Sequence, residues 1–406
     1  MKQSLTGNIF RMFSIFCCIS LPMVAQVWTI QNSGVSDQLK SVHFVSNSEG
    51  WVCGDNGALL HTVNAGETWS RVAVFSSDLH EVAFLDAQTG IVSGDDGAIL
   101  RTTDGGANWS IVNSGTSSQL RGCGWGADGI AWAAGRDGVL LKSTDFGATW
   151  TLQQSGTTNR IRSIVGYGST HAWAVGNDGL IRSTANGNSW AAQNSPVSDN
   201  LEDVQFINTN VGFVSGSGTV LFTDNGGATW AVRGSGVSGE TNGLYFTDES
   251  NGWVVNEMGQ IFHTTNGGVT WATETTGTSG ILNDVFIAAN GAGWAVGDNG
   301  VILKHAPLTG IDDEPETAVR ENKLAQNYPN PFNPATTIAF NLASYQKVQL
   351  TVYNIAGQQV AELINQPLIA GAHSVTFSGE NLPSGVYFYE LRASSFNEIK
   401  KMMLVK

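Results

Sequence analysis

A tryptophan recurs through the first three quarters of the chain at a nearly constant interval. The steps between successive members are 41, 40, 41, 40, 40 and 41 residues, for Trp28, Trp69, Trp109, Trp150, Trp190, Trp230 and Trp271. A Gly-Asp-Asn-Gly type of turn follows the same step, and each copy shows four short strand patterns. Four strands in 40–45 residues is typical of one β-propeller blade. The sequence therefore predicts an all-β fold with a seven-bladed propeller over residues 27–306.

The two ends of the repeat array predict how the ring closes. The seventh copy lacks its last strand, and Asp312 stands where its tryptophan is due. At the other end, Trp28 begins a strand that no earlier copy precedes. We therefore expect the strand at Trp28 to complete blade seven, because a closed ring has no exposed sheet edges.

Six copies share a motif before the fourth strand. The segments TVNAGETW (62–69), TTDGGANW (102–109), STDFGATW (143–150), STANGNSW (183–190), FTDNGGATW (222–230) and TTNGGVTW (264–271) carry it. They resemble the Asp box of the bacterial neuraminidase repeat, and residues 27–306 resemble the photosystem II stability/assembly factor-like propellers. Asp104 and Asp145 stand at the box position, Ala185 replaces them in the fourth copy, and the fifth copy reads as shifted by one residue. The resemblance implies a structural role for these aspartates and for Trp69, Trp109, Trp150, Trp190, Trp230 and Trp271.

A second domain of different composition follows the repeats. Proline and acidic residues mark a linker at 307–323, and period-two strands from residue 324 predict a small immunoglobulin-like β-sandwich. Its segments LAQNYPNPFNPATTI (324–338), VYNIAGQQV (352–360), LPSGVYFYEL (382–391) and KKMMLVK (400–406) resemble the C-terminal sorting domain of type IX secretion substrates. The resemblance implies binding of residues 324–406 to the outer-membrane export machinery, then release or attachment to surface lipopolysaccharide. The alternative is a generic spacer module.

The first 26 residues read as a signal peptide. Lys2 and Arg11 precede an apolar run at 12–24 that is too short to span a bilayer. No later segment approaches 18 uninterrupted apolar residues, so we expect no transmembrane segment in the mature chain. The predicted destination is the extracellular space or the outer-membrane surface, reached through the periplasm. Cys53 and Cys123 are interpreted as buried small hydrophobes.

The net charge and the absence of known catalytic motifs argue against several classes of function. The formal net charge of −14 argues against nucleic acid or anionic lipid as the main partner. The sequence has no HExxH, GxSxG or CxxC motif, and no carboxylate pair stands out from its repeat equivalents. We therefore name no catalytic or metal-binding residue and expect a non-catalytic propeller that binds an extracellular glycan or protein. The alternatives are an extracellular glycoside hydrolase, sialidase-like or acting on polysaccharide, and a role in membrane-complex assembly.

One face of the ring is the better candidate for binding. The Gly-Asp-Asn-Gly turns and the links between blades share that face, opposite the Asp boxes. We expect no cofactor, although a ring of turn carboxylates could hold Ca²⁺; the other interpretation is that Asp and Asn are good turn formers. Sites that depart from the repeat consensus are the better functional candidates. The predicted ligand contacts are Arg136, Glu240, Asn242, Glu257 and Met258.

One position of the third strand, which we call the basic column, is occupied by a basic residue or histidine in most repeats. It contains His61, Arg101, Lys142, Arg182, His263 and Lys304. We interpret these residues as cations stacked near the box tryptophan that follows each of them, or as solvated side chains.

Overall fold

The computed structural model describes residues 28–306, apart from 73–74 and 235, and residues 322–406, apart from 328, 344–345, 369–370, 381 and 394–395. The predicted signal peptide at 1–26 and most of the predicted linker, residues 307–321, lie outside the described residues. Within these ranges the elements are β-strands and four single-turn 3₁₀ helices. Those helices are Asp55–Gly57, Asp95–Gly97, Arg136–Gly138 and Asp298–Gly300. The prediction of an all-β fold is confirmed.

The described strands before residue 306 form seven four-stranded antiparallel sheets, which we number as blades 1 to 7. Blade 1 is β2 Leu39–Phe44, β3 Gly50–Gly54, β4 Leu59–Thr62 and β5 Ser70–Arg71; blade 2 is β6 Leu79–Phe84, β7 Gly90–Gly94, β8 Ile99–Thr102 and β9 Ser110–Val112. Blade 3 is β10 Leu120–Trp125, β11 Ala131–Gly135, β12 Leu140–Ser143 and β13 Thr151–Leu152; blade 4 is β14 Ile161–Tyr167, β15 His171–Gly176, β16 Leu180–Thr184 and β17 Ala191–Ala192. Blade 5 is β18 Asp203–Phe206, β19 Gly212–Gly216, β20 Thr219–Thr223 and β21 Ala231–Arg233; blade 6 is β22 Thr241–Phe246, β23 Gly252–Asn256, β24 Ile261–Thr264 and β25 Ala272–Glu274. Blade 7 is β26 Leu282–Ile287, β27 Gly293–Gly297, β28 Ile302–His305 and β1 Trp28–Gln31.

The blades are arranged in a ring around their first strands. The inner strands β2, β6, β10, β14, β18, β22 and β26 contact one another in that order, and β26 also contacts β2. Each second strand is sandwiched between neighbouring blades, so its apolar run does not alternate: all five residues of Gly50–Gly54 are buried. The inner strands therefore line a central channel.

The N-terminal strand closes the ring. Strand β1 pairs antiparallel with β28, and Trp28 lies opposite His305. The Trp28 side chain is only 2% exposed, and its indole N–H donates to Glu274 Oε2 of blade 6 at 2.7 Å. The prediction that Trp28 completes blade 7 is confirmed.

The turns divide the ring into two faces. In the second turn of blade 1, Asn56 and Gly57 have φ of 52° and 62°, the left-handed geometry of a tight hairpin. Gly57 also approaches the link to blade 2, where a Cβ would lie 2.1 Å from the Phe75 carbonyl oxygen. We call this side the turn face. The Asp boxes share the other side, the box face, with the first turns, since Ala65 N donates to Ser48 O at 2.7 Å.

Each Asp box is held by the same hydrogen bonds. The buried Thr102 hydroxyl donates to Asp104 Oδ1 at 2.9 Å and accepts Gly106 N at 2.9 Å. Asp104 Oδ1 accepts Asn108 N at 2.9 Å. The corresponding pairs in the other boxes are Thr62 with Asn64, Ser143 with Asp145, Thr184 with Asn186, Thr223 with Asn225 and Thr264 with Asn266. These contacts organise the turn.

The hydrogen bonds correct the register of two boxes. In blade 4 the box residue is Asn186 and not Ala185, because the turn is one residue shorter between Thr184 and Trp190. In blade 5 the box is not shifted, because Asn225 accepts Thr229 N at 2.9 Å as its equivalents do. The hydrogen bonds therefore identify the box residue in both blades, whereas counting back five residues from the tryptophan gives the wrong residue in blade 4.

The basic column packs on a different tryptophan from the one predicted. His61 stacks on Trp51, with ring centroids 4.0 Å apart, and Lys142 Nζ lies 5.2 Å from the centre of a Trp132 ring. Those rings belong to the second strand, since antiparallel pairing places Trp51 opposite His61. Arg182 leaves the column, because Ser183 lies opposite Trp173 in blade 4.

The C-terminal strands form two sheets over one apolar core. The strands are β29 Lys323–Leu324, β30 Ala335–Leu342, β31 Gln346–Asn354, β32 Gln359–Leu368, β33 Gly371–Ser378, β34 Gly385–Ala393 and β35 Phe396–Leu404. The sheet orders are β29-β30-β33 and β32-β31-β34-β35. Ile338 from the first sheet and Leu350, Leu391 and Met402 from the second are all buried in this core. The arrangement agrees with the predicted sandwich.

Candidate binding site at the channel mouth

A column of polar residues stands where each inner strand begins at the turn face. Its members are Lys40, His80, Arg121, Arg162, Glu202, Asn242 and Asn283. In blade 1 the pairing of β2 with β3 shifts register between Leu39 and Ser41, so Lys40 sits in a β-bulge. Bulges re-aim side chains, which is how a polar residue fits within these apolar strands.

In blades 1, 2 and 4 this column contacts the first residue of the second turn. Lys40 forms a salt bridge with Asp55, and His80 Nε2 lies 2.7 Å from Asp95 Oδ1. The link before the next blade supplies a second donor, since Gln119 Nε2 donates to the same Asp95 oxygen at 2.6 Å. The turn aspartate is thus held between two donors from separate blades.

In blade 3 an arginine replaces the turn aspartate. Arg136 occupies the position of the turn aspartate, and the two positions that contact it in other blades are Arg121 and Arg160. Across the described residues, none of the three guanidinium groups has a hydrogen bond or a salt bridge. Burial, followed by repulsion from Arg162, lowers the pKa of Arg121. Burial, followed by the charges of Arg136 and Arg162, lowers the pKa of Arg160. We call Arg121, Arg136 and Arg160 the arginine cluster.

The opposite arc of the mouth is acidic. Glu202 Oε2 accepts Arg162 Nη1 at 2.7 Å, and this pair separates the arginine cluster from blades 5 and 6. Burial raises the pKa of Glu202, while Arg162 and Arg121 oppose the shift. Beyond it, Glu257 Oε1 accepts the backbone N–H of Glu240 at 3.4 Å. Blades 3 and 4 thus contribute the arginine cluster to this face, and blades 5 and 6 contribute Glu202, Glu240 and Glu257.

The structure divides the predicted ligand residues. Glu257 and the 44% exposed Met258 lie in the second turn of blade 6 and Glu240 contacts Glu257 from the preceding link, whereas Arg136 lies in blade 3. Within the described chain, no contact joins Arg136 to that group. Asn242 is already engaged, because its Nδ2 donates to Leu282 O of blade 7 at 2.8 Å. Asn242 ties two blades together through this bond, and its role in ligand binding stays a prediction.

The turn carboxylates do not converge. Asp55, Asp95 and Asp298 are each paired with a side chain of a strand or link, the last with Gln38 Nε2 at 2.5 Å. Within residues 28–306 and 322–406, apart from the gaps, no three metal-ligating side chains come together. The Ca²⁺ alternative stays a prediction.

Sequence reasoning missed three carboxylates one residue deeper in the channel, Glu81, Asp203 and Asp284. Burial comes first among the causes that raise their pKa values, and the pKa of Asp284 reaches about 7. A signal for them was present, because aligning the inner strands at the 40–41-residue period places them in one column with Ser41 and Ser163. Motif searches within one repeat do not reveal it.

Comparisons with known proteins agree with this architecture. Residues 25–121 and 182–273 match the family of the photosynthesis system II assembly factor YCF48, and residues 326–406 match the secretion system C-terminal sorting domain. No curated protein matches the chain. In the described ranges, no helix has the length and apolar character needed to cross a membrane.

Solved structures share the propeller fold. A structure of YCF48 bound to D1 peptide has a TM-score of 0.59 and 20% identity, covering 69% of this chain and 97% of that one. YCF48 from Cyanidioschyzon merolae has a TM-score of 0.56 and 19% sequence identity, and the match covers 68% of this chain and 98% of that one. The WD40 propeller domain of Doa1 has a TM-score of 0.60 and 11% sequence identity, and the match covers 70% of this chain and 97% of that one. The N-terminal part thus has the propeller fold and is similar to YCF48, and the sorting domain indicates export by type IX secretion to the cell surface or the extracellular space.

Proposed function

We propose that this chain, a YCF48-like propeller joined to a secretion sorting domain, is an exported non-catalytic protein whose channel mouth binds an acidic segment of a partner protein. The observation that carries the proposal is the arginine cluster. Its three guanidinium groups form no hydrogen bond or salt bridge in the described chain, although the equivalent positions in blades 1 and 2 are bonded to a turn aspartate. Unpaired arginines cost stability, so a cluster of them is better explained by a ligand than by the fold.

The chemistry of the mouth favours a carboxylate-bearing peptide. A planar guanidinium donates two parallel hydrogen bonds to one carboxylate, and such charge-assisted bonds are the stronger class. The acidic arc around Glu202, Glu240 and Glu257 would meet a basic side chain of the same segment. A neutral glycan offers no charge to either arc. The YCF48 structure with a D1 peptide supports a peptide ligand for a propeller of this fold.

Delivery is assigned to the C-terminal domain. We propose that residues 324–406 bind the type IX machinery, and that a leader at 1–26 takes the chain to the periplasm first. Attachment to surface lipopolysaccharide after export is part of the same proposal.

One observation favours an enzyme as the second candidate. Glu81, Asp203 and Asp284 border the channel with raised pKa values, and a raised pKa is what a general acid requires. Against this, Asp203 and Asp284 already accept backbone N–H groups from neighbouring blades, at 3.1 and 2.9 Å. Hydrolysis of polysaccharide or sialoside substrates by the mature chain would support the enzyme and overturn the non-catalytic proposal.

The binding proposal is tested with fluorescent peptides and the mature full-length chain. We expect a peptide of mixed Asp, Glu and Lys to bind, its amide analogue with Asn and Gln to bind at least about tenfold more weakly, and the affinity to fall with salt. Arg121→Gln and Arg160→Gln should each weaken binding. The matched control is Arg101→Gln, because Arg101 lies on the box face, where its Nε donates to Phe146 O at 2.6 Å. Equal binding of both peptides, or equal loss in the control variant, would overturn the assignment.

A further inference from the structure

Phe146 has a backbone conformation that favours glycine. It stands in the Asp-box turn of blade 3 with a φ of 60°, and it is the only aromatic residue with a positive φ in the described part of the chain. The N–H at this place donates to a carbonyl of the first turn of the blade. In blades 2, 5 and 6 the donor is a glycine, Gly105, Gly226 or Gly267, with φ of 67°, 71° and 66°. A Cβ makes this conformation unfavourable, so the box does not need a phenylalanine here.

The Phe146 ring is held firmly and is half open to solvent. Its backbone N–H donates to Gly129 O at 2.9 Å, and its carbonyl accepts Arg101 Nε at 2.6 Å. A Cβ added to Gly129 would lie 2.7–2.8 Å from three atoms of the ring, so one face of the ring covers this glycine. The side chain is nevertheless 43% exposed. The second face of the ring is therefore presented to solvent on a rigid backbone.

Blade 4 places a second aromatic ring on the surface. Four other blades end their inner strand with a buried phenylalanine opposite the first glycine of the second strand; these are Phe44, Phe84, Phe206 and Phe246. In blade 4 the equivalent residue is Gly166, and the hairpin continues by one more pair, Tyr167 opposite His171. The Tyr167 side chain is 37% exposed. Blade 4 thus lacks the buried ring of the other blades and carries an exposed one next to it.

The two rings belong to turns that contact each other on the box face. The first turn of blade 3, residues 126–130, contains Gly129 beneath the Phe146 ring. In the same turn, Ala127 N–H donates at 2.7 Å to the carbonyl of Gly168, the residue after Tyr167. We call Phe146, Tyr167 and the turn 126–130 the aromatic platform. Strained residues and departures from a repeat that the fold does not require indicate a function.

The residues beside the rings favour a sugar over an apolar protein surface. Exposed polar residues flank the rings along the chain, namely Asp128, Thr144, Ser169 and Thr170. The core of a protein interface is a continuous apolar patch, which this pattern does not supply. A pyranose has C–H groups on its faces and hydroxyls at its edge. Such a unit stacks on a single ring while carboxylate and hydroxyl groups beside the ring bond its edge.

The charges next to Phe146 favour a neutral ligand. Arg101 lies against its carbonyl, and Asp145 precedes it in the chain, so the nearest charges are of opposite sign. The Asp145 carboxylate is also engaged within the box, where it accepts the hydroxyls of Ser143 and Thr149 at 2.8 and 2.6 Å. This differs from the arginine cluster on the turn face, where three like charges lie together.

We propose that the aromatic platform is a second binding site of the propeller, which takes a neutral polysaccharide by stacking its hexose units on Phe146 and Tyr167. The site lies on the box face and is independent of the arginine cluster, so one chain can hold a protein partner on one face and a polysaccharide on the other.

The experiment measures retardation of the mature full-length chain in native gels that contain a soluble β-glucan, mannan or galactan. The wild type should be retarded by at least one of them, and added salt should not abolish the effect. Phe146→Gly should weaken that binding at least about fivefold. The matched control is Val63→Ala, which shortens an exposed apolar side chain in the box of blade 1 and should bind as the wild type does. No retardation in any of the three gels, or equal binding by Phe146→Gly, would overturn the site.

The melting temperature of Phe146→Gly tests the argument from strain. Since glycine is the residue that blades 2, 5 and 6 use, the variant should melt within about 2 °C of the wild type or above it. A much lower melting temperature would show that the fold needs the ring and would contradict the proposal.

Two changes at Tyr167 test the second ring and do not depend on the folding of Phe146→Gly. Tyr167→Phe keeps the stacking surface and should bind as the wild type does, whereas Tyr167→Ser should bind at least about threefold more weakly. Equal binding by the two variants would exclude Tyr167 from the site and overturn the platform as proposed.

Discussion

Replacing Arg136 with aspartate would convert the exceptional turn of blade 3 into the common one. In blade 2 the equivalent Asp95 is bonded to His80 at 2.7 Å and to Gln119 at 2.6 Å. In the Arg136→Asp variant the new carboxylate would stand between Arg121 and Arg160, which now repel one another. Two partly exposed ion pairs contribute about 0.2–1 kcal/mol each, so we expect a stability gain of about 1 kcal/mol. For a domain of this size that corresponds to about 2–4 °C in melting temperature.

The same substitution should abolish binding of acidic peptides. A built-in carboxylate competes with the ligand for both remaining arginines, so the affinity should fall at least about tenfold. Calorimetry and fluorescence anisotropy on the same samples measure the two effects, with Arg101→Gln as the control that changes neither binding nor the arginine cluster. A variant that is destabilised, or that binds acidic peptide as the wild type does, would refute the reasoning.

Three other expectations concern the ring and its export. Deleting residues 28–34 removes β1, so the exposed edge of β28 should make the chain aggregate or melt much earlier; an unchanged melting temperature contradicts the closure. Thr102→Val leaves the buried Gly106 N–H without its acceptor and should lower the free energy of unfolding by about 1–3 kcal/mol, measured by denaturant unfolding. The same change at the exposed Thr103 should lower it little. Deleting 400–406 would also remove buried core residues, so the sharper export test is to replace the exposed Lys401 and Met403 of β35 by serine. Folded chain should then accumulate in the periplasm, and normal surface display would rule out recognition through this strand.

The 40–41-residue spacing of the repeats predicted the blades well, because each blade is formed by residues close together in the chain. A tight turn at Asn56-Gly57 and a buried tryptophan depend on residues a few positions away, so the sequence shows them directly. The ring closure by Trp28 was also predictable, since one strand was missing at one end and one was extra at the other. The errors concerned which residue occupies the Asp-box position in two blades. A turn one residue shorter moved the box of blade 4 to Asn186, which only the hydrogen bonds reveal.

The candidate site was predicted less well, because its residues come from different blades. Arg136 was recognised as an exception, but Arg121 and Arg160 were not, since neither departs from a motif within its own repeat. Asn242 also bonds to Leu282 of the next blade, a contact that its own repeat does not reveal. Glu81 and Asp284 were missed for the same reason: they are about 200 residues apart in the chain and are related through the closing seam.

The amino-acid sequence is enough to predict the four-stranded blade, its turns and the number of its copies. Such features are encoded by side-chain period and turn chemistry over a few residues. Which charged side chains lie together depends on how the blades pack. The bulge at Lys40 re-aims the polar column, and ring closure brings the first and last inner strands side by side. Charge–charge energies depend on distance and burial, which the packing of blades sets and the order of residues along one blade does not.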